Sequence, residues 1–327
     1  MRFRVPVAMA ALSVSVATVG LAAPANAATT SAVQYGQQGD VPVARNYYGD
    51  SRTDVAVWRP SNGTWYIRGA SAVRFGQVGD IPVPADYNGD GRAEPAVFRP
   101  STGTWYILGR SGVRYGQSGD VPVPANYTGD GRAELAVFRP STGTWYILGM
   151  SAIRYGQSGD KPVGAHFAGD GHADVAVFRP STGTWYVRGL SGVRYGQSGD
   201  IPVAANYTGD SRAEFSVFRP GNGTWYVLGT SAITWGVNGD VPQPGNYGGD
   251  YRDDRTVWRP SNGTWYIRIE ATPTPPPPSC DPAYPTVCIP PPPPDLDCGQ
   301  ISYRNFKVVA PDPHGFDSDH DGVGCES

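Results

Sequence analysis

The residues best suited to chemistry stand near the end of the chain. Asp317-Ser318-Asp319-His320-Asp321-Gly322 sets three carboxylates two residues apart and follows them with a glycine. That spacing turns the acids towards one side of a tight turn. Several hard oxygen donors around one point are what Ca²⁺ takes. The charge distribution agrees. Lys and Arg total 26 against 29 Asp and Glu, a formal net charge of −3, yet residues 295–327 hold seven acids and only two bases, Arg304 and Lys307. Acid concentrated at one end suggests a hard cation as partner. So mild an overall balance excludes nucleic acid as the main partner.

Catalytic patterns are missing. The sequence holds no G-x-S-x-G, no H-E-x-x-H and no phosphate-binding loop, and no cysteine–histidine nucleophile pair suggests itself. The four histidines, His166, His172, His314 and His320, do not recur with any period. His166 and His172 with Asp170 and Asp174 could hold a transition metal, or could mark a loop that has drifted from its neighbours. The expectation is a protein that is not an enzyme. The alternative is a secreted polysaccharide-active hydrolase or lyase, or an accessory subunit of one. It would need two close carboxylates in a single unrepeated cleft.

The elements that must position such residues are set by a repeat. Tyr35-Gly36-Gln37 recurs at Phe75, Tyr115, Tyr155, Tyr195 and, as Trp-Gly-Val, at Trp235. Gly-Thr-Trp-Tyr begins at Gly63, Gly103, Gly143, Gly183, Gly223 and Gly263, always 40 residues apart. With Gly 43 and Pro 32 punctuating almost every ten residues, long helices are excluded. In the second unit, Ile81–Ala85, Glu94–Arg99, Thr104–Leu108 and Val113–Tyr115 read as strands. Four strands in about 40 residues is the size of a propeller blade. The fold class expected is all-β: a six-bladed β-propeller over residues 31–270. Residues 31–35 supply the missing fourth strand of the last blade and remove the open edge.

The repeat also multiplies side chains. Trp65, Trp105, Trp145, Trp185, Trp225 and Trp265 would form a ring. They could stack on sugars as ligand-binding aromatics, or they could be core, because the middle strands of a blade are covered on both faces. Arg59, Arg99, Arg139, Arg179, Arg219 and Arg259 recur beside one Asp per unit, such as Asp40 or Asp80, which suggests a structural ladder rather than an anion site.

Residues 1–27 read as a secretory signal peptide, with Arg2 and Arg4, an apolar stretch and Ala25-Asn26-Ala27 as the cleavage site. The mature chain is then expected to be secreted or cell-surface associated, with no membrane insertion after the signal is removed. Residues 271–294 are rich in proline and read as a stiff spacer. Cys280, Cys288, Cys298 and Cys325 allow three connectivities; nearest pairing keeps each bridge within one segment. A terminal module of residues 295–327 is too small to bury a sufficient core, so a bridge and a metal must staple it.

Two resemblances follow from these residues. Gly79-Asp80-Ile81-Pro82-Val83-Pro84-Ala85-Asp86-Tyr87-Asn88-Gly89-Asp90-Gly91-Arg92-Ala93-Glu94, with Ala96-Val97-Phe98-Arg99-Pro100, resembles the bacterial FG-GAP/VCBS-type repeat, itself similar to the integrin-type blade. The resemblance implies a propeller, extracellular placement and Ca²⁺ in the Asp-rich loop. The family's loop takes oxygen ligands at positions 1, 3, 5 and 9 with Gly at 6. Asp86, Asn88, Asp90 and Glu94 with Gly91 meet this, and the other five loops depart from it to differing degrees. There, Asx turns and the adjacent arginines Arg92, Arg132 and Arg212 could stand in for the metal. The second resemblance concerns residues 295–327. Asp317 to Glu326 begins like an EF-hand loop but has no acid at position 12, since Ser327 is position 11. With Cys298, Asp312-Pro313 and Cys325-Glu326 it resembles the Excalibur extracellular calcium-binding domain. That resemblance implies side-chain oxygens from Asp317, Asp319 and Asp321, a carbonyl from Val323 and a closing carboxylate from Glu326. The expected function is a secreted, non-enzymatic calcium-binding protein. Its propeller would be a ligand-binding or adhesion module for a cell-wall polymer, glycan or protein.

Overall fold

Each forty-residue unit folds as a four-stranded antiparallel sheet because short β-forming runs alternate with turns that demand glycine. The computed structural model describes residues 28–271 and 280–326. The expected signal peptide lies outside them. In blade two, Ile81–Pro82, Ala96–Arg99, Thr104–Ile107 and Val113–Arg114 lie side by side in chain order. The second and third strands are joined through Gly103, whose φ is +65°. A Cβ at that position would sit 2.9 Å from the Gln117 nitrogen, so the hairpin turn and the Tyr-Gly-Gln segment meet there only because the residue has no side chain.

Burial explains the sequence of the two middle strands. Ala96, Val97 and Phe98 are buried at successive positions, whereas Thr104–Ile107 alternates and buries Trp105 and Ile107. Continuous burial is the mark of a strand covered on both faces, here by the neighbouring blades. Val97 of blade two packs into the core of blade one, and Val137 of blade three into that of blade two.

The ring is closed. The opening strand Thr29–Gln34 pairs antiparallel with Thr264–Ile269, placing Val33 opposite Trp265, and completes blade six. A main-chain hydrogen bond crosses every seam. Ala93, Ala133, Ala173, Ala213 and Asp253 each donate an N–H to the preceding blade, at Asn46, Asp86, Asn126, His166 and Asn206. The sixth bond, from Thr53 to the Asn246 carbonyl at 2.7 Å, joins blade one to blade six. The same seam is packed: Val55 and Val57 lie against Trp258 and Trp265. The protein is a six-bladed β-propeller with no helix among the described residues.

Residues from Cys280 onward form a second compact unit. Disulfides join Cys280 to Cys288 and Cys298 to Cys325. Its core gathers Tyr284, Ile289, Phe306, Val308 and Phe316. This corrects the expected boundary. Residues 280–290 are not spacer: the first disulfide folds them back, the Asp281 N–H reaches the Ile289 carbonyl at 2.7 Å, and Tyr284 is wholly buried. The stretch 272–279 lies outside the described residues.

Candidate metal centres

Among the described residues, two groups of three acidic side chains bring their oxygens within 4.8 Å of one another: Asp317, Asp319 and Asp321, and Asp86, Asp90 and Glu94. Both are groups the sequence singles out. His166, Asp170 and His172 do not form a third such group. Asp170 lies between the two rings, 3.6 Å from His166 Nε2 and 3.1 Å from His172 Nε2, and His166 Nε2 accepts the Gly171 N–H at 2.8 Å.

The terminal loop is built from its flanks. The Asp312 carboxylate accepts the Asp317 N–H at 2.8 Å and the Tyr284 hydroxyl at 2.7 Å. Burial pushes the Asp312 carboxyl up, but these hydrogen bonds outweigh it and hold it below the usual carboxylate range. Asp317 in turn accepts the N–H groups of Asp321 and Gly322 at 3.1 and 2.9 Å, and Asp321 accepts that of Val323 at 2.9 Å. The turn uses positive φ at His320 and Gly322. Val323 lies in the strand Val323–Gly324, paired with Phe306–Lys307. Glu326 belongs to the same electrostatic neighbourhood. Asp321 first, then Asp319, raise its carboxyl above the usual range. Among the described residues none of these four acids makes an ion pair. Repelling carboxylates with no base to neutralise them form a donor set that fits a hard divalent cation.

The blade-two loop is similar but partly satisfied. Asp86 accepts the N–H groups of Gly89 and Gly91 at 2.6 and 2.8 Å. Glu94 accepts the Tyr87 N–H at 2.8 Å, and burial raises its carboxyl. The Asn88 amide nitrogen donates to both Asp90 and Glu94. It bridges two of the three acids, so a cation there requires the amide to turn and offer its oxygen. In blades three and five, Thr128 and Thr208 donate to Glu134 and Glu214 at 2.8 and 2.6 Å, closing those loops without a metal. The arginines do not serve their own loops. Arg92 packs on Gly49, Arg132 on Gly89 and Arg212 on Gly169, each on the preceding blade.

The six tryptophans are core, which corrects their reading as ligand-binding aromatics. Trp65, Trp105, Trp145, Trp185, Trp225 and Trp265 are all at 0% exposure. Each indole N–H is spent on the neighbouring strand, as from Trp105 to the Tyr115 carbonyl at 2.8 Å and from Trp265 to Tyr35 at 2.9 Å. The blades cover both faces of these rings, leaving no face for a sugar. The Arg–Asp ladder is present in all six blades. Arg99 meets Asp80 through two bonds of 2.8 and 2.9 Å and lies 4.3 Å over the Tyr106 ring, while Asp80 also accepts the Gln77 N–H at 3.0 Å.

One feature escaped the repeat-based reading. The inner strands enclose a central cavity of about 680 Å³. Among the carboxylates its lining includes Asp253 alone, where the hydrolase alternative asks for two. The signal for it was a departure from the repeat. Arg45 stands where units two to five have alanine and unit six glycine, and Asp253 where units two to five have alanine and unit one threonine.

No family model and no curated protein matches the sequence. Solved structures resemble the fold. Virginiamycin B lyase from Staphylococcus aureus, in an inactive form with quinupristin, has 7% identity and a TM-score of 0.48, covering 74% of this chain and 99% of its own. BBS1N in complex with ARL6DN has 14% identity and a TM-score of 0.45, with 75% and 96% covered. An Agrocybe aegerita lectin that recognises non-reducing terminal N-acetylglucosamine has 13% identity and a TM-score of 0.41, with 72% and 81% covered.

Proposed function

We propose that this chain is a secreted, non-enzymatic calcium-binding protein whose propeller is an extracellular ligand-binding or adhesion module. The observation that carries the calcium reading is the convergence of Asp317, Asp319 and Asp321 with no neutralising base, in a loop held from behind by Asp312 and Tyr284. The blade-two loop offers a second, weaker site, because its Asn88 amide already satisfies Asp90 and Glu94. The resemblance of the two segments to the FG-GAP/VCBS-type loop and to the Excalibur domain supports the same ion. The reading of residues 1–27 as a signal supports export, and the two disulfides suit an oxidising compartment. The partner is a cell-wall polymer, a glycan or a protein.

Calorimetry of the full chain with Ca²⁺ tests the ion. The expected result is saturable heat that Asp319→Asn removes from the tighter site and Asp90→Asn from the weaker one. No heat, with both disulfides intact, overturns the reading. A glycan and wall-polymer array with and without chelator tests the role. Calcium-dependent capture without turnover supports it, and release of product from a polysaccharide refutes it.

A further inference from the structure

The inner strands of the blades are nearly identical, so whatever breaks their symmetry at the axis marks a direction. Around the cavity blades two to five supply proline and valine, for example Pro84, Pro124, Pro162 and Pro202, and blade six supplies Pro242 and Pro244. These are flat, apolar walls that carry no charge. Three charged residues interrupt them, Arg45, Arg212 and Asp253; Arg212 lies against Gly169 of the preceding blade, whereas Arg45 and Asp253 come from adjoining blades one and six. Arg45 follows the inner strand of blade one, in an isolated bridge with Asp54, and Asp253 precedes the second strand of blade six.

Neither charge is used up by the fold. Arg45 is exposed and donates one hydrogen bond, to the carbonyl of its neighbour Ala44 at 2.9 Å. Asp253 is half-buried and accepts one, from the Asn206 N–H at 2.8 Å through Oδ2. Among the described residues neither makes an ion pair, in contrast to the six repeated arginines, every one of which is held by an aspartate. Arg45 stands near enough to bear on the Asp253 carboxyl electrostatically without bonding to it. A guanidinium and a carboxylate that face one cavity and leave each other unbonded fit a guest carrying both opposite charges.

We propose that the axial cavity binds a zwitterion, a free α-amino acid or a short peptide, with its carboxylate on Arg45, its ammonium on Asp253 and its apolar body against the prolines. The volume accommodates a dipeptide and falls in the usual range for small-ligand sites. The site involves neither metal loop, so the proposal stands or falls separately from the calcium reading.

Calorimetric titration of the full chain, in chelator, with alanine, alanyl-alanine, acetate and ethylammonium tests it. Saturable binding of alanine or alanyl-alanine is expected, and which of the two binds more tightly identifies the source of the zwitterion. Acetate and ethylammonium should each bind at least 10-fold more weakly, because each satisfies one charge only. Arg45→Ala and Asp253→Asn should each weaken binding about 10- to 100-fold. Arg45 is exposed, and asparagine keeps an acceptor for Asn206 while removing a carboxylate that burial disfavours, so both variants should melt no lower than the wild type. A double mutant no weaker than the worse single one would show that both charges act on one guest. Absence of saturation by either zwitterion, or wild-type affinity in both folded variants, overturns the proposal.

Discussion

Gly263→Ala attacks the closure of the ring at one atom. Gly263 has φ +66°, and a Cβ there would fall 2.6 Å from the Gly36 carbonyl carbon and 2.9 Å from the Gln37 nitrogen, both in the segment that follows the opening strand. The left-handed conformation costs an alanine about 1–2 kcal/mol. The clash pushes away the Tyr35 N–H, which donates to the Gly263 carbonyl at 2.9 Å, and losing that bond costs about 1–2 kcal/mol more. A penalty of roughly 2–4 kcal/mol in a domain of this size lowers the melting temperature by about 4–16 °C. Gly143→Ala is the internal control. Its Cβ would meet the Gly156 carbonyl carbon at the same 2.6 Å, but within the middle of the ring. Both variants should lose similar stability, while hydrogen exchange separates them. Gly263→Ala should expose the amides of Thr29–Gln34, which belong to a chain end that can peel away, and Gly143→Ala should leave those amides protected. Wild-type stability and protection in Gly263→Ala would refute closure by the opening strand.

Three further outcomes are expected. Asp80→Ala removes both bonds to Arg99 and the acceptor for Gln77 from a fully buried side chain; chemical denaturation should register a loss of about 3 kcal/mol. Asp253 has its carboxyl pushed up to about 6, chiefly by burial, against an ordinary 3.8, so the folded chain takes up its proton before the unfolded one does. Stability should therefore rise as pH falls from about 7 to about 4, by at most roughly 3 kcal/mol from this group, and Asp253→Asn should flatten that part of the profile. Tyr284→Ala should abolish Ca²⁺ binding at Asp317, Asp319 and Asp321 while the propeller melts as before, since the ring that braces Asp312 belongs to the second unit alone; loss of propeller stability, or retained binding, would count against that assignment.

The forty-residue period was enough to place the strands, the completion of the last blade by the opening segment, and the pairing of each repeated arginine with its aspartate. A strict repeat forces equivalent residues into equivalent surroundings, so one blade read correctly is six. For the tryptophans the sequence left sugar stacking and core both open, and the packing of neighbouring blades, which no single unit encodes, encloses Trp105. Proline content misled at residues 280–290. Composition alone suggests an extended spacer, but a disulfide between cysteines eight positions apart and one tyrosine with three aromatic neighbours turn it into core. The acidic groups were evident in the sequence as types and spacings. Which of them are already quenched by their own loop, as Asn88 and Thr128 quench theirs, depends on side-chain hydrogen bonds that spacing does not determine.

The pairing of Thr29–Gln34 with Thr264–Ile269 brings together residues some 230 positions apart, as the hydrogen bond from Trp265 to Tyr35 measures. Five blades form from neighbours in the chain, but the sixth waits until the last unit has emerged. Folding of the disc therefore ends in a single long-range event, with a large loop-closure entropy, that locks many short-range ones. Because both termini of the disc end in that one sheet, the chain could be cut in the hairpin turn of another blade and rejoined at blade six. The circularly permuted protein should have the same disc, with a different blade left to fasten last.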